Sequence, residues 1–150
     1  MLTKPLFASG WEVTGINRAD KFFAALTTIL PPAANLCFEG TSIAPDIRTL
    51  LASNVVASTF KIPLGTVWPK PKLFHVHATE QFVRELAALA KAHAEPEICD
   101  HFYAYKDSRG LMQWHDAFDD PLLIDESIVE KNLQAFCRLV GAHYSRWRAA

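Results

Sequence analysis

The residues best suited to chemistry in this sequence are His75 and His77, one residue apart in the stretch KLFHVHATE. On a strand, alternate residues share a face and stand roughly 7 Å apart along the chain. From that spacing two imidazoles can converge on one metal ion. Two ligands do not complete a site, and Cys37, Glu39, His101, His115 and Asp116 are the available third donors. A bound metal would acidify water, with Glu39 as acid or base, which is the chemistry of a metal-dependent hydrolase or lyase. The competing reading is a pair of sheet-rim histidines that are hydrogen-bonded or solvated, in a chain that holds no metal and no cofactor.

A second constellation is a rim of two turns. Glu39-Gly40-Thr41-Ser42 and His77-Ala78-Thr79-Glu80 each precede a helix-like stretch. If the two strands before them run parallel, the turns share one edge. Glu39, Ser42, His75, His77 and Thr79 then form a ligand-binding rim whose free amides can receive an anion or small acidic ligand. Ser and Thr also occur at helix starts simply because they cap helices, and neither GxGxxG nor GxxxxGK[ST] is present.

The other candidates are surfaces. HFYAYKD and LMQWHDAF flank Ser108-Arg109-Gly110, with Asp107 leading the turn, a hairpin signal. With Asp107 paired to Leu111 across a glycine bulge, Phe102, Ala104, Met112, Trp114 and Phe118 share the core face. His101, Tyr103, Tyr105, Gln113 and His115 share the other, an interface for another protein or a second copy of the chain. The alternative is that the last helix or the N-terminal arm covers this face. Lys61, Lys70 and Lys72 interleave with Phe60 and Trp68, a pattern that can bind single-stranded nucleic acid. Three lysines in a chain of formal charge -1 argue instead for a solvated, proline-stiffened loop with Trp68 tucked against the fold. Asp116, Asp119, Asp120, Asp125, Glu126 and Glu130 crowd one region without EF-hand spacing. Ser9, Ser127 and Ser145 lack a GxSxG context.

The elements that must position these groups follow from periodicity. Thr79 caps a helix striped by Phe82, Leu86, Leu89 and His93, fed by a buried strand over Lys72–Ala78. Asn17 caps a first helix through Phe22, Phe23, Leu26, Ile29 and Leu30, stopped by Pro31-Pro32. A short strand spans Trp11–Ile16 and another spans Asn35–Glu39. Ser42 opens a helix buried through Ile43, Ile47, Leu50 and Leu51. VVASTFKI suits an edge strand, and Pro63, Gly65, Pro69 and Pro71 make the rest an extended connection. Asp119-Asp120-Pro121 opens a linker. A last helix begins at Asp125 or Ser127 and carries Val129, Leu133, Phe136, Val140, His143 and Trp147 along one side.

The sequence has 150 residues, 50% hydrophobic and 21% charged, enough for one globular domain with a real core. No apolar run approaches the roughly 20 residues of a membrane helix, and the near-neutral charge gives no field that draws nucleic acid. Cys37, Cys99 and Cys137 lie far apart without a CxxC pair, which points to reduced thiols and a cytoplasmic setting. The expected fold is α+β, a single domain with a mixed β-sheet, a late β-hairpin and about four packed helices. The expected function is a small soluble binding domain of adaptor, inhibitor or immunity type. The metal-dependent hydrolase or lyase is the alternative.

Overall fold

In the computed structural model, which describes residues 5–63, 65–66 and 68–150, the strands are β1 (Ser9–Thr14), β2 (Asn35–Gly40), β3 (Lys72–His77), β4 (His101–Lys106), β5 (Arg109–Trp114), β6 (Leu122–Asp125) and β7 (His143–Arg148). They form one seven-stranded sheet in the order β3-β2-β4-β5-β6-β1-β7. Every pairing is antiparallel. The helices are α1 (Ala19–Ala24), α2 (Leu26–Ile29), α3 (Pro45–Ser53), α4 (Glu80–Ala90) and α5 (Glu130–Val140), with only Ala25 separating the first two. The α+β expectation and the late hairpin stand.

Strand alternation sorts the sheet into two unlike faces. Leu36, Phe38, Val76, Phe102, Ala104, Met112, Trp114 and Ile124 point to one side, where they join Phe22, Phe23, Leu26, Ile47, Leu51, Phe82, Leu86, Leu133 and Phe136 of the helices in one core. Its centre is aromatic, with Phe22 against Phe23, Phe102, Trp114, Phe118 and Phe136. The other side holds a small separate cluster of Cys37, Tyr103 and Tyr105, packed against Leu6, Phe60 and Ile62. That second face carries the polar residues.

α4 forms as expected as far as Ala90, leaving His93 beyond its end, with the Thr79 side chain accepting from the Phe82 amide at 3.1 Å. The hairpin's faces are also as expected, but its register is not. Lys106 pairs with Arg109 around a tight Asp107-Ser108 turn, and a bulge beyond it restores Ala104 opposite Met112 and Phe102 opposite Trp114. Relative to the expected register this is a shift of two residues, which leaves every side chain on its predicted face.

Other expectations are corrected. β3 is an edge strand with only Val76 buried, not a buried strand. VVASTFKI forms no strand, since only Val55 bridges to Val76. The first helix begins after Arg18 rather than at an Asn17 cap, and the last has Val129 at its N-cap rather than Asp125 or Ser127. The linker after Pro121 is β6. The last helix stops at Gly141, whose φ of 70° ends the turn in the left-handed region. His143 and Trp147 then belong to β7, where side chains alternate instead of forming a stripe. The first residues of the expected N-terminal arm lie outside the described residues.

Candidate functional site

The second face of the sheet is polar because β2 turns Asn35, Cys37 and Glu39 toward it, β4 turns His101, Tyr103 and Tyr105, and β5 turns Gln113. Across it runs a strap, formed by the described residues of the stretch 55–71, and the sheet's polar groups hold that strap down. Tyr105 donates its hydroxyl to Ser58 Oγ at 2.7 Å and stacks on Phe60, with centroids 4.4 Å apart. The Tyr103 hydroxyl reaches Glu39 Oε1 at 3.3 Å and the Pro63 carbonyl at 3.4 Å. Burial raises its pKa and suppresses its ionisation, so it stays a donor. Glu39 is 0% exposed and accepts from the Gly65 amide at 3.1 Å and the Thr66 amide at 2.9 Å. On the hairpin side, the Leu6 amide donates to Gln113 Oε1 at 2.8 Å. Among the described residues no buried side-chain nitrogen or oxygen lacks a hydrogen-bond partner.

Gly65 is required by a close approach. A Cβ there would stand 2.6 Å from His101 Cδ2 and 2.7 Å from its Nε2. His101 is itself 2% exposed, and the Asp116 amide donates to its Nδ1 at 2.9 Å. The hydrogen of the neutral ring therefore sits on Nε2 and points at Thr66 Oγ1, 2.8 Å away. In this tautomer His101 cannot take the Thr66 proton, so the pair is not a nucleophile and its base.

The five hairpin-face residues do share one face, but the expected exposure is overturned. His101, Tyr103, Tyr105 and Gln113 are buried and His115 is half-buried, because the strap and the arm cover them. Neither the last helix nor a second molecule is needed for this. Trp68 is the reverse case. Expected to tuck against the fold, it is 86% exposed.

The two-turn rim does not assemble. β2 and β3 are antiparallel, with Asn35 opposite His77 and Glu39 opposite Leu73, so Ser42 and Thr79 lie at opposite ends of the pair. Ser42 does not cap α3, whose N-cap is Ala44, and the Thr41 amide and hydroxyl both donate to Asp100 Oδ2. A carboxyl oxygen thus occupies the position an anion would need.

His75 and His77 are engaged separately. His75 Nδ1 lies 2.8 Å from the Tyr105 hydroxyl, with Nε2 3.9 Å from Cys37 Sγ, while His77 Nδ1 donates to Asn35 Oδ1 at 2.6 Å. Burial pushes the Cys37 thiol far up, so it is no thiolate ligand. Among the described residues the one cluster of metal-binding size is His101, His115 and Asp116, with atoms within 4.8 Å. Its imidazoles are stacked with centroids 4.3 Å apart and planes 8° from parallel. A metal must lie near the plane of each imidazole it binds, and stacked parallel planes share no such point. Changing both His75 and His77 to alanine is therefore expected to leave zinc titration calorimetry unaltered. A tight one-to-one site in the wild type alone would contradict this.

Sequence reasoning missed Gly65 and Thr66, whose bonds to Glu39 run through backbone amides that carry no side-chain signal. It did not bring Asp100 and Asp116 together with Glu95 and Asp119. These four acids and Thr66 line a cleft of about 310 Å³ beside the strap. The remaining acids disperse: Asp125 accepts from Arg109 and Ser127, Glu126 from Ser9, and Glu130 from Tyr144.

Burial pushes His101 below the usual histidine range, opposed by Glu39, Asp116 and Asp100 and reinforced by His115. Burial does the same to His75. The unfolded chain takes these protons near the ordinary value of about 6.5 and the folded chain resists them. The stability they contribute is complete above that value and is lost as pH falls through the folded pKa. His93, raised by its hydrogen bond to Asp46, works in the opposite sense, but Asp46 is exposed and solvent screens the pair. The urea midpoint is expected to fall on going from about pH 7 to about pH 5, and to fall less in His101→Gln. An identical pH slope in the variant would remove His101 from this account.

No protein-family model matches the chain, and neither a curated protein nor a solved structure matches it.

Proposed function

We propose that the chain is a non-enzymatic protein-binding domain of adaptor, inhibitor or immunity type, which offers the strap to an acidic patch on another protein with Trp68 as the anchor. One observation carries this reading. Trp68 is 86% exposed two residues from the backbone that the buried Glu39 ties to the sheet. Tryptophan is among the residues that dominate interface energetics. A loop already ordered on a rigid scaffold loses little entropy on binding.

Charge names the partner's chemistry. Residues 55–72 include Lys61, Lys70 and Lys72 and no acid. The cleft adjoining Thr66 is lined by Glu95, Asp100, Asp116 and Asp119. A partner that is acidic against the lysines and basic against the cleft satisfies both, whereas the continuous phosphates of a nucleic acid would be repelled at the second. The metal-dependent hydrolase or lyase has no comparable support, because His75 and His77 each bond a different neighbour. The His101 tautomer also speaks against an acid–base site.

The test is affinity purification with wild type and Trp68→Ala, followed by reconstitution of any retained protein from purified components. The expected result is one stoichiometric partner, bound at least about tenfold more weakly by Trp68→Ala. A partner that binds both forms equally, or a nucleic acid recovered in its stead, would overturn the reading.

A further inference from the structure

The sheet has two edges, and they differ. At β3 the outer side is partly closed, since Val55 bridges to Val76 and the Val56 amide donates to the His75 carbonyl at 2.8 Å. At β7 nothing among the described residues pairs with the outer side, because β7 bonds only to β1. The register shows which backbone groups are open there. The Ala149 amide donates to the Ala8 carbonyl at 2.8 Å, continuing a ladder in which Ser9 faces Arg148 and Gly10 faces Trp147. Bonding direction alternates along an antiparallel strand, so Trp147, Ser145 and His143 also turn their amides and carbonyls toward β1. Tyr144, Arg146 and Arg148 therefore turn theirs outward.

The side chains select what can use them. His143, Ser145, Arg146 and Arg148 are exposed, and β7 contains no acid. Among the described residues neither arginine forms a salt bridge, and Arg146 lies over the Trp11 ring, 5.2 Å from its centroid. Charged side chains on an edge protect it from apolar strands. A second copy of β7 would also set arginines against arginines. An acidic strand meets neither obstacle. We infer that the outer edge of β7 receives an acidic extended segment of a partner protein as an eighth strand, with carboxylates opposite Arg146 and Arg148. Its backbone bonds to Tyr144, Arg146 and Arg148 supply affinity and its charges supply selection. This surface is separate from the strap, and neither proposal depends on the other.

The experiment uses the whole chain and a short blocked peptide alternating glutamate and threonine, followed by amide hydrogen exchange and titration. The amides of Tyr144, Arg146 and Arg148 are expected to exchange freely alone and to become protected with the peptide. Ser145 and Trp147 should be protected in both states. Arg146→Pro removes one outward amide without touching the bonds to β1 and should weaken binding about tenfold or more. Methylating alternate peptide nitrogens should do the same. If Arg146→Pro fails to fold, the double variant Arg146→Glu, Arg148→Glu should switch preference to a lysine–threonine peptide. No binding, binding indifferent to peptide methylation, a charge-reversed variant that keeps its preference for glutamate, or a dimer of the free chain broken by Arg146→Pro would each overturn the proposal.

Discussion

Replacing Glu39 by alanine is expected to lift the strap off the sheet and to lower stability by about 3 kcal/mol. The carboxyl group accepts from the Gly65 and Thr66 amides and lies within reach of the Tyr103 hydroxyl. Its removal leaves the Gly65 and Thr66 amides without an acceptor in a buried place, at about 1–3 kcal/mol for each that stays dry, while the Tyr103 hydroxyl keeps the Pro63 carbonyl. The strap can escape part of that cost by detaching into water, so the loss stays below the sum and appears as local opening. Gly65→Ala should produce the same opening by another route, because the added Cβ collides with the His101 ring. Chemical unfolding measures the first effect, and hydrogen exchange at residues 58–66 measures both. A loss within ordinary surface scatter, about 0.5 kcal/mol, would mean that Glu39 does not secure the strap.

Phe22→Ala should have the largest effect on the fold itself, about 4 kcal/mol. Phe22 is fully buried, and its ring lies 4.8 Å from Trp114 and 5.4 Å from Phe102 by centroids. It also meets Phe118 and Phe136, each at 5.9 Å, so one side chain ties α1 to β4, β5 and α5. Truncating a buried phenylalanine costs about 3–5 kcal/mol through lost transfer energy and the cavity left behind. The edge-to-face partners lose their own contacts as well. The midpoint of denaturant unfolding reads this directly. A loss under about 1 kcal/mol would show that the aromatic cluster is not the centre of the core.

These two positions differ in how far the sequence announces them. Phe22 sits in a stripe with Phe23, Leu26 and Ile29, and a helix that buries such a stripe follows from spacing alone. The same holds for α4, and for the alternation that sorts the hairpin into an aromatic core face and a polar face. β7 was hidden because Val140, His143 and Trp147 happen to recur at helical spacing. The true stop, Gly141, is a single residue with a left-handed φ. β6, the segment LLID, is too short to show a period of its own.

The site was legible only in its residue types. Glu39, His101, Tyr103 and Tyr105 were identifiable as polar groups on strands. What they bind lies far off in sequence, the Thr66 amide 27 residues from Glu39 and the Ser58 hydroxyl 47 residues from Tyr105. Backbone amides look alike in every sequence, so nothing in the residue types pointed to them. The exposure of Trp68 was equally invisible.

Amide hydrogen exchange at Gly65 and Thr66 in the wild-type protein reads whether the polar face of the sheet holds the strap in one conformation. Slow exchange is expected at both positions in the wild type, lost in Glu39→Ala while the amides of β4 stay protected. Exchange at free-chain rates in the wild type would contradict it.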